Sequence, residues 1–350
     1  MACLGDRVSQ YDEDSISRRP SRGNTRRRTK DRPDFSEATI GQVIGVDRGR
    51  ITCVVPAGAL HQDQVEVTTV KARELGRKGV VIGDRVRLVG DLSGTFDTLA
   101  RLVEIIDRET VLTRTADDSD PIERVIVANA DQMAIVTATA NPEPRVGLID
   151  RSLVAAYEAG LAPILIITKV DLGSAQDLLN NYAGMDLQHI LVNQKTGDGI
   201  SEVRAALSGR TTVFLGHSGV GKSTLVNSLA PEALRTTGEV NDITGRGKHT
   251  STSARAIPLP DDSGWVIDTP GLRSFGLAHV KPADIIESFP ELVAGAIECP
   301  RACTHVNAAG VAPPDCALDT WVAQGQAGDA GLSRLSSLRR LLVALQTPSS

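Results

Sequence analysis

The sequence lacks any run of about 18 or more uncharged apolar residues, the length that a membrane-spanning helix needs. Residues 1–10 also lack the apolar segment of a secretory signal. Aromatic residues make up only 3% of the chain, so base stacking is a poor candidate for contact with nucleic acid. We therefore expect a cytoplasmic protein with no membrane partner.

Cysteine is also scarce, and its five copies are an odd number that does not suit a disulfide framework. Three of them lie with a histidine in the pattern Cys299-x3-Cys303-x-His305-x10-Cys316. Three thiolates and one imidazole form the soft tetrahedral set that Zn2+ favours, and four protein ligands leave no open position. The pattern predicts one structural zinc site, with unrelated free cysteines as the alternative. The other two cysteines are expected to be ordinary residues.

The net charge of −5 hides a strongly basic segment. Residues 18–32 hold eight basic residues and one acid, with almost nothing apolar. Such a segment cannot bury enough surface to offset the entropy lost on ordering, so residues 1–35 are predicted to be a disordered basic arm. Two interpretations stay open: a solubilising tail, and an arm whose arginines contact phosphates.

The rest of the chain divides by pattern into three predicted domains. Residues 36–108 form short alternating runs broken by Gly or Asp, which predicts an OB-fold, with an SH3-like barrel as the alternative. Residues 109–282 alternate strand and helix patterns, which indicates an α/β domain with a parallel sheet covered by helices. Residues 283–350 are mainly helical, hold the zinc ligands and end in an amphipathic leucine run that begins at Leu332.

A glycine-rich segment at 216–223 follows a strand pattern and precedes a helix pattern. In that context Gly-x4-Gly-Lys-Ser forms a phosphate-binding P-loop, whereas elsewhere it is only a glycine-rich turn. Backbone N–H groups would point at the phosphates, Lys222 would bridge the β- and γ-phosphates, and Ser223 would bind Mg2+. The predicted phosphate-binding residues are Gly216, His217, Ser218, Gly219, Val220, Gly221, Lys222, Ser223 and Thr224.

A second phosphate-side motif, Asp268-Thr269-Pro270-Gly271, lies about 50 residues downstream at the end of an apolar strand. A carboxylate at that position beside a P-loop would hold a water of the Mg2+ ion, so Asp268 is predicted to be part of the magnesium site. The Gly271 N–H is predicted to meet the γ-phosphate.

A base-reading loop is predicted from the segment Thr168, Lys169, Val170 and Asp171, which follows a buried strand and is similar to the Asn/Thr-Lys-x-Asp loop of GTPases. A carboxylate at Asp171 accepts both guanine donors, N1–H and the 2-amino group. Adenine would leave a buried carboxylate unpaired, at a cost of roughly 1–3 kcal/mol or more. Lys169 would lie along the base and brace the P-loop. The loop therefore predicts GTP and GDP as ligands, with an exposed turn as the alternative.

The order of these motifs is reversed, because the base-reading loop precedes the phosphate loop. Circular permutation explains this order, since new termini can open between two strands while the spatial arrangement persists. The segment 268–276 then leads directly into the C-terminal domain, so a change on hydrolysis could be transmitted there.

Four further segments resemble the circularly permuted, ribosome small-subunit-dependent GTPases. They are Asn129-Ala130-Asp131-Gln132, Leu148-Ile149-Asp150-Arg151, Gly247-Lys248-His249-Thr250-Ser251 and the run from Asp268 to Gly276. The resemblance covers residues 36–320. It implies an N-terminal OB-fold, a permuted GTPase domain and a C-terminal zinc domain. It also implies a role in late maturation of the 30S subunit, with GTPase activity stimulated by that subunit.

The chain departs from that family pattern at several positions. Thr168 stands where the family usually has Asn, so one purine contact is expected to be lost or taken over by a hydroxyl. Asn193 and Gln194 interrupt the second base-side loop, whose family pattern is Val-Ser-Ala-Lys-Thr-Gly. Both departures predict a modest affinity for guanine. The spacing of the zinc ligands also differs, and a longer loop is tolerated because closure entropy grows slowly with length.

The residue that positions the attacking water is not the usual glutamine, because Leu272 occupies that place after the second-switch glycine. His249 is the predicted substitute, acting through an imidazole nitrogen. Thr250 is predicted to contact Mg2+ from the first switch, with Ser251 as the next choice. An exposed loop histidine is the alternative for His249.

Contacts with 16S rRNA in the 30S subunit are predicted to involve phosphates and RNA shape, without DNA and with a monomeric protein. The basic candidates on the barrel are Arg50, Arg73, Arg77, Lys78, Arg85 and Arg87. Two other functions stay open: a P-loop ATPase or nucleotide kinase, and a binding module in which nucleotide only switches RNA affinity.

Overall fold

The structure is a computed structural model that describes residues 34–47, 49–58, 61–76, 79–115, 123–231, 254–269, 277, 280–307 and 309–346. Residues Glu37–Ser350 form one compact unit, distinct from Met1–Ser36, and the description concerns that larger unit. The predicted basic arm lies outside the described residues except at its end.

A five-stranded barrel follows the predicted alternation of apolar and polar residues. Its strands are β1 (Thr39–Asp47), β2 (Arg50–Val55), β3 (Val65–Lys71), β4 (Arg85–Gly90) and β5 (Ala100–Ile105). Strand β1 pairs with both β2 and β4, and β3 pairs in parallel with β5, which closes the barrel in the order β1-β2-β3-β5-β4. The predicted OB-fold is confirmed. The Cys53 thiol lies in the barrel core, where burial raises its pKa to about 12.

A short hairpin of β6 (Val111–Arg114) and β7 (Arg124–Ala128) links the barrel to an α/β sheet. Four parallel pairings join β8 (Gln132–Ala138), β9 (Ala162–Thr168), β10 (Gln188–Val192), β11 (Arg210–Gly216) and β13 (Gly264–Asp268). Strand β12 (Arg255–Pro258) runs antiparallel to β13. The sheet order is β10-β9-β8-β11-β13-β12, so the phosphate loop after β11 lies at the centre of the carboxyl edge.

Helices cover both faces of this sheet because β8, β9 and β11 are apolar on both sides. One face packs on α3 (Ile200–Leu207) and α4 (Lys222–Leu229). The other face packs on α1 (Val146–Glu158), with α2 (Gln176–Asn180) near the sheet edge. The α/β architecture predicted from the sequence is confirmed.

The α/β sheet and the barrel are hydrogen-bonded to one another. Strand β12 pairs with β13 on one side and with β1 of the barrel on the other, where Gly45 lies opposite Arg255. Eleven of the described strands therefore form one sheet that runs from β10 into the barrel, while β6 and β7 pair separately.

Side chains of the Asn-x-Asp-Gln motif make hydrogen bonds where the chain passes from the barrel into the α/β sheet. Asn129 donates from Nδ2 to the Gly83 carbonyl at 2.9 Å and accepts the Glu109 N–H at 2.8 Å. Asp131 accepts the Thr211 N–H at 2.6 Å, at the beginning of β11. The motif thus orients the barrel relative to the sheet.

The C-terminal segment is helical, as predicted. It contains α5 (Pro282–Ile286), α6 (Pro290–Ile297), α7 (Ala317–Ala323) and α8 (Gly331–Gln346). Leu335, Leu338, Leu341 and Leu342 are buried in the same apolar core as α1, whereas Leu332 is exposed. None of the helices in the described part of the chain combines the length and apolar content needed to cross a bilayer.

Candidate functional site

The predicted P-loop connects β11 to α4 with the geometry that its glycines allow. Gly219 and Gly221 adopt φ values of 84° and 90°, in the left-handed region that disfavours side chains. A Cβ on Gly216 would lie 2.5 Å from the Val136 carbonyl oxygen, so the chain needs glycine there to approach β8. The amide N–H groups at the beginning of α4 are thereby available to an anion.

The lysine at the start of α4 contacts the carboxylate at the end of β13. Lys222 Nζ lies 2.6 Å from Asp268 Oδ1, and both side chains are largely shielded from solvent. Asp268 lies beside the loop because β13 pairs in parallel with β11, with Asp268 opposite Phe214. Ser223 and Thr224 follow Lys222 and are exposed. A cation, a carboxylate and a hydroxyl at a helix N-terminus form a set suited to a magnesium–phosphate ligand.

Thr168 lies at the end of β9 and is fully buried. Its hydroxyl lies 2.5 Å from the Val220 carbonyl oxygen of the P-loop and 3.1 Å from the Thr137 carbonyl oxygen. A hydroxyl has one proton, and both neighbours are acceptors, so no donor is left for a base. Of the two outcomes expected at this position, loss of a purine contact or its replacement by a hydroxyl, these hydrogen bonds favour the loss. Thr168 ties the base-side loop to the P-loop instead.

Lys169 bonds the loop after β8, which in turn lies against the P-loop. Its Nζ donates to the Asn141 carbonyl in the loop after β8, and its own carbonyl accepts the Thr139 hydroxyl at 2.6 Å. Pro142 of that same loop faces Gly219, with its Cδ 3.6 Å from where a Cβ would stand. The lysine thus supports the P-loop through the β8 loop.

Asp171 is exposed as a residue, although its side chain is only 21% accessible, and it pairs with the second base-side loop. Lys195 Nζ lies 2.6 Å from Asp171 Oδ2. The hydrogen bond from Lys195 is the main cause that lowers the pKa of Asp171 from its ordinary value. The carboxylate is therefore ionised at neutral pH and able to accept two donors.

Gln194 is a site residue whose contact the sequence did not reveal. Its Nε2 donates to the Gly221 carbonyl at 2.7 Å, across 27 positions of the chain. The side chain of Asn193 holds the loop by accepting the Lys195 N–H at 3.1 Å. The sequence marked both residues only as departures from a pattern.

The residues predicted to carry hydrolysis lie outside the described residues. These are His249 and Thr250, with Ser251 as the next choice; Gly271, the predicted γ-phosphate contact, and Leu272 also lie outside them. Their roles stay predictions.

The predicted metal ligands come together in the C-terminal segment. One ligand atom from each of Cys299, Cys303, His305 and Cys316 lies within 4.8 Å of all the others. The His305 Nδ1 atom is 3.6 Å, 3.7 Å and 3.7 Å from the three sulfur atoms. Tetrahedral zinc with bonds of about 2.3 Å to sulfur and about 2.0 Å to nitrogen separates those atoms by about 3.5 Å. The four side chains therefore fit a metal ion of this size and geometry.

Backbone conformation and burial shape this centre. His305 has a φ of 59°, in the left-handed region that residues other than glycine rarely adopt. Burial lowers the pKa of His305 and so favours the neutral imidazole that binds metals. The long gap before Cys316 closes on itself, because Asn307 N donates to the Val311 carbonyl at 2.9 Å.

Arg339 of α8 holds the metal cluster from outside. It donates to the His305 carbonyl at 3.1 Å and lies 3.7 Å from the Cys316 sulfur. Asp319 receives both terminal nitrogens of Arg339 at 2.7 Å. In the sequence, only a basic pair within an amphipathic helix pattern marks this contact.

The next residue, Arg340, reaches the α/β sheet layer instead. Its Nε lies 3.1 Å from Asp150 of α1, and its guanidinium stacks 4.3 Å from the centre of the Tyr182 ring. Burial raises the pKa of Asp150 to about 6, although Arg340 and the Tyr182 hydroxyl act in the opposite direction. Arg151 donates to the Ala344 carbonyl at 3.0 Å. Asp150 and Arg151 of the Leu-Ile-Asp-Arg motif therefore dock α8 on α1.

The order of the loops identifies the chain as a circularly permuted P-loop GTPase, because its base-side loops follow β9 and β10 and its phosphate loop follows the later strand β11. A family model described as RsgA GTPase matches residues 105–278. The small ribosomal subunit biogenesis GTPase RsgA of Pseudomonas fluorescens is 39% identical over 251 residues, which cover 70% of each chain. RsgA 1 of Vibrio vulnificus is 33% identical over 320 residues, covering 87% of this chain and 86% of its own. The chain belongs to the RsgA family of GTP-hydrolysing enzymes.

Two solved structures share this fold. YjeQ from Thermotoga maritima superposes with a TM-score of 0.60 at 24% identity, covering 88% of this chain and 98% of its own. YloQ, described as a circularly permuted GTPase, superposes with a TM-score of 0.59 at 22% identity, covering 89% of this chain and 97% of its own. The predicted permutation is thereby confirmed.

Proposed function

We propose that this GTPase binds the small ribosomal subunit and assists late maturation of the 30S particle, with hydrolysis stimulated by that subunit. The nucleotide-binding part of the proposal rests on one observation, the direct hydrogen bond between the base-side loop after β9 and the P-loop. Thr168 of the base-side loop bonds Val220 of the P-loop at 2.5 Å. The names of the relatives support the ribosomal half, since they are small-subunit biogenesis GTPases.

The phosphates would be held at the beginning of α4. The N–H groups there carry the positive end of the helix dipole, and Lys222 would leave Asp268 to bridge the β- and γ-phosphates. Ser223 and Asp268 would hold Mg2+, which neutralises charge on the phosphates when bound. Thr224 and the Gly271 N–H complete the proposed phosphate contacts.

Guanine would be selected by Asp171. Its carboxylate would exchange the Lys195 ammonium, now 2.6 Å away, for the N1–H and 2-amino donors of the base. Lys195 is largely exposed and can move aside at little cost. Lys169 and Val170 would form the rest of this side of the base site.

Hydrolysis would depend on the first switch. His249 would orient the attacking water, since Leu272 has no group for that task. Thr250 would complete the magnesium site in the GTP-bound state.

One Zn2+ would occupy the Cys299, Cys303, His305 and Cys316 centre as a structural ion. Four protein ligands leave no position for a substrate, and the observed S–N distances support zinc. The ion would fix the loop between α6 and α7.

The barrel would contact 16S rRNA through phosphates, with the protein acting as a cytoplasmic monomer that binds no DNA. Arg50 and Arg73 are exposed and support this surface. Arg85 and Arg87 pair with Glu109 and Glu104, at 2.7 Å and 3.2 Å, so RNA would have to displace those partners. Arg77 and Lys78 lie outside the described residues. The domain boundaries at 108 and 282 remain part of the proposal.

Hydrolysis of GTP and ATP, measured with and without purified 30S subunits, tests this function. We expect turnover of GTP alone and a clear rise in its rate when 30S subunits are added. The Lys222→Ala variant should lose that turnover and serves as the control. Preference for ATP would favour an ATPase or nucleotide kinase, and GTPase rates unchanged by 30S subunits would favour a module in which turnover is incidental.

A further inference from the structure

The sulfur atoms of the Cys/His cluster, which comprises Cys299, Cys303, His305 and Cys316, each accept an N–H group. The Ala317 backbone N–H lies 3.3 Å from the Cys299 sulfur. The His305 backbone N–H lies 3.4 Å from the Cys303 sulfur. The Cys316 sulfur accepts from a side chain, so this third N–H can be removed by substitution.

Arg339 of α8 supplies the N–H group that approaches the third sulfur. Its Nη2 atom is 3.7 Å from the Cys316 sulfur, while its Nε donates to the His305 carbonyl at 3.1 Å. Asp319 accepts from Nη1 and Nη2 at 2.7 Å each, which fixes the orientation of the guanidinium plane. The side chain of Arg339 is 18% exposed and that of Asp319 is 52% exposed. The positive charge therefore lies close to the sulfur, and its carboxylate partner is the more solvated of the two.

The two cluster residues that Arg339 contacts lie at the ends of the long gap in the ligand pattern. His305 and Cys316 are separated by the x10 segment, and a longer segment costs more entropy to close. A side chain that bonds both ends offsets part of that cost. Gln346, at the other end of α8, donates to the Val306 carbonyl at 3.2 Å. Helix α8 thus holds the beginning of the gap at two successive carbonyls.

The charge of Arg339 also suits a metal-bound cluster. Zn2+ with three thiolates and a neutral imidazole carries one net negative charge. Cys316 and His305 are buried, and a buried charge is unfavourable unless it is paired. A hydrogen bond from a cation to a thiolate is stronger than one between neutral groups. The guanidinium would therefore stabilise the metal-bound cluster.

We propose that Arg339 is a positioning residue that retains the metal ion. It holds His305 and Cys316 across the long gap and pairs with the Cys316 thiolate. The inference rests on the zinc site proposed above. Groups that hydrogen-bond metal ligands typically change metal affinity by about 10–100-fold, so the loss of Arg339 should be measurable.

The test is the rate at which zinc leaves the full chain, measured with an excess of the coloured chelator pyridylazoresorcinol. Arg339→Met removes the guanidinium donors but keeps an unbranched stem, and zinc release should become about tenfold faster. Arg340→Met is the matched control, because Arg340 lies on the same helix and bonds Asp150 at 3.1 Å, away from the cluster. It should loosen the docking of α8 and leave the rate of zinc release nearly unchanged.

Cobalt substitution reports on the bond to Cys316 separately. Sulfur-to-cobalt charge transfer gives an absorption band, and its energy falls when a thiolate loses an N–H bond because the sulfur becomes more electron-rich. Arg339→Met should therefore move the band to longer wavelength, whereas Arg340→Met should not. Asp319→Asn leaves Arg339 in place without its carboxylate partner, so it should also speed zinc release, but less than Arg339→Met does.

Two results would overturn the inference. Equal acceleration of zinc release by Arg339→Met and Arg340→Met, with an unshifted cobalt band, would mean that only the docking of α8 matters. An unchanged release rate and an unchanged band in Arg339→Met would mean that the contact has no effect on the ion. If Arg339→Met does not fold, Asp319→Asn decides: faster release supports the role of Arg339, and unchanged release overturns it.

Failure of the metal site itself would look different. An unaltered chain that contains no zinc and gains no charge-transfer band with Co2+ would show that the proposed zinc site is wrong, and the inference would fall with it. An unaltered chain that holds zinc and releases it no more slowly than Arg339→Met would leave the site standing and remove only the role of Arg339.

Discussion

Replacing Asp150 with Asn should change how the stability of the protein depends on pH. Asp150 is buried between α1 and α8, where it accepts hydrogen bonds from Arg340 and from the Tyr182 hydroxyl, each at 3.1 Å. Asparagine has nearly the same shape and keeps one carbonyl oxygen as acceptor. The substitution therefore removes the titration of this site while leaving most of its packing in place.

The magnitude follows from the pKa of the buried carboxyl. Its value is about 6 in the folded protein, compared with 3.8 in the unfolded chain. Because the folded state holds the proton more tightly, stability is lost as the pH rises from the unfolded pKa through the folded one. Between about pH 4.5 and about pH 7.5 the free energy of unfolding falls by the equivalent of about 1.5 pKa units, which is about 2 kcal/mol. Asp150→Asn should not show this part of the pH dependence.

Urea unfolding of both proteins at several pH values provides the assay. The difference in unfolding free energy, variant minus unaltered protein, should rise by about 2 kcal/mol over this pH range. Asp319→Asn is the matched control, because Arg339 lowers the pKa of Asp319 from its ordinary value. The Asp319 carboxylate is ionised in the folded and unfolded states above about pH 4.5. The difference in unfolding free energy between Asp319→Asn and the unaltered protein should therefore stay nearly constant with pH. A flat difference for Asp150→Asn would refute the reasoning.

Three other substitutions test the loops and the metal centre. Thr168→Val should lower the unfolding free energy by about 0.5–1.5 kcal/mol and weaken GDP binding, because the tie to the P-loop is lost, while Thr168→Ser should keep both properties. Cys316→Ser should reduce the zinc content measured by plasma mass spectrometry and lower the thermal midpoint; a full equivalent of zinc with an unchanged midpoint would contradict the assigned ligand set. His249→Ala should bind GTP normally but lose the stimulation of GTP hydrolysis by 30S subunits. An unchanged rate of phosphate release with 30S subunits present would exclude a role for His249 in hydrolysis.

Much of the nucleotide site was predictable because its motifs are local. The P-loop needs only a strand, a fixed glycine spacing and a helix, and all three are read from neighbouring residues. The four candidate metal ligands were also found from spacing, although the gap before Cys316 is unusual. The reversed order of the motifs was enough to predict the permutation.

Contacts between distant positions could not be predicted in this way. The hydroxyl of Thr168 bonds the Val220 carbonyl, 52 positions away, and no local pattern predicts that contact. The tie from Arg340 to Asp150 spans 190 positions. Alternation alone also left the choice between an OB-fold and an SH3-like barrel, because the parallel pairing of β3 with β5 leaves no local mark.

The adjacent arginines of α8 have a consequence for the cooperativity of folding. Arg339 hydrogen-bonds the His305 carbonyl in the Cys/His cluster, and Arg340 hydrogen-bonds Asp150 of α1. One turn of α8 therefore contacts both the cluster and the α/β domain. The 16-residue helix also buries its leucines in the core that supports the α/β sheet. The Cys/His cluster and the α/β sheet are therefore linked through one helix, and we expect the sheet and the C-terminal helices to unfold in a single transition. A substitution in the Cys/His cluster would then lower the stability of the sheet that carries the P-loop without altering any residue of that loop.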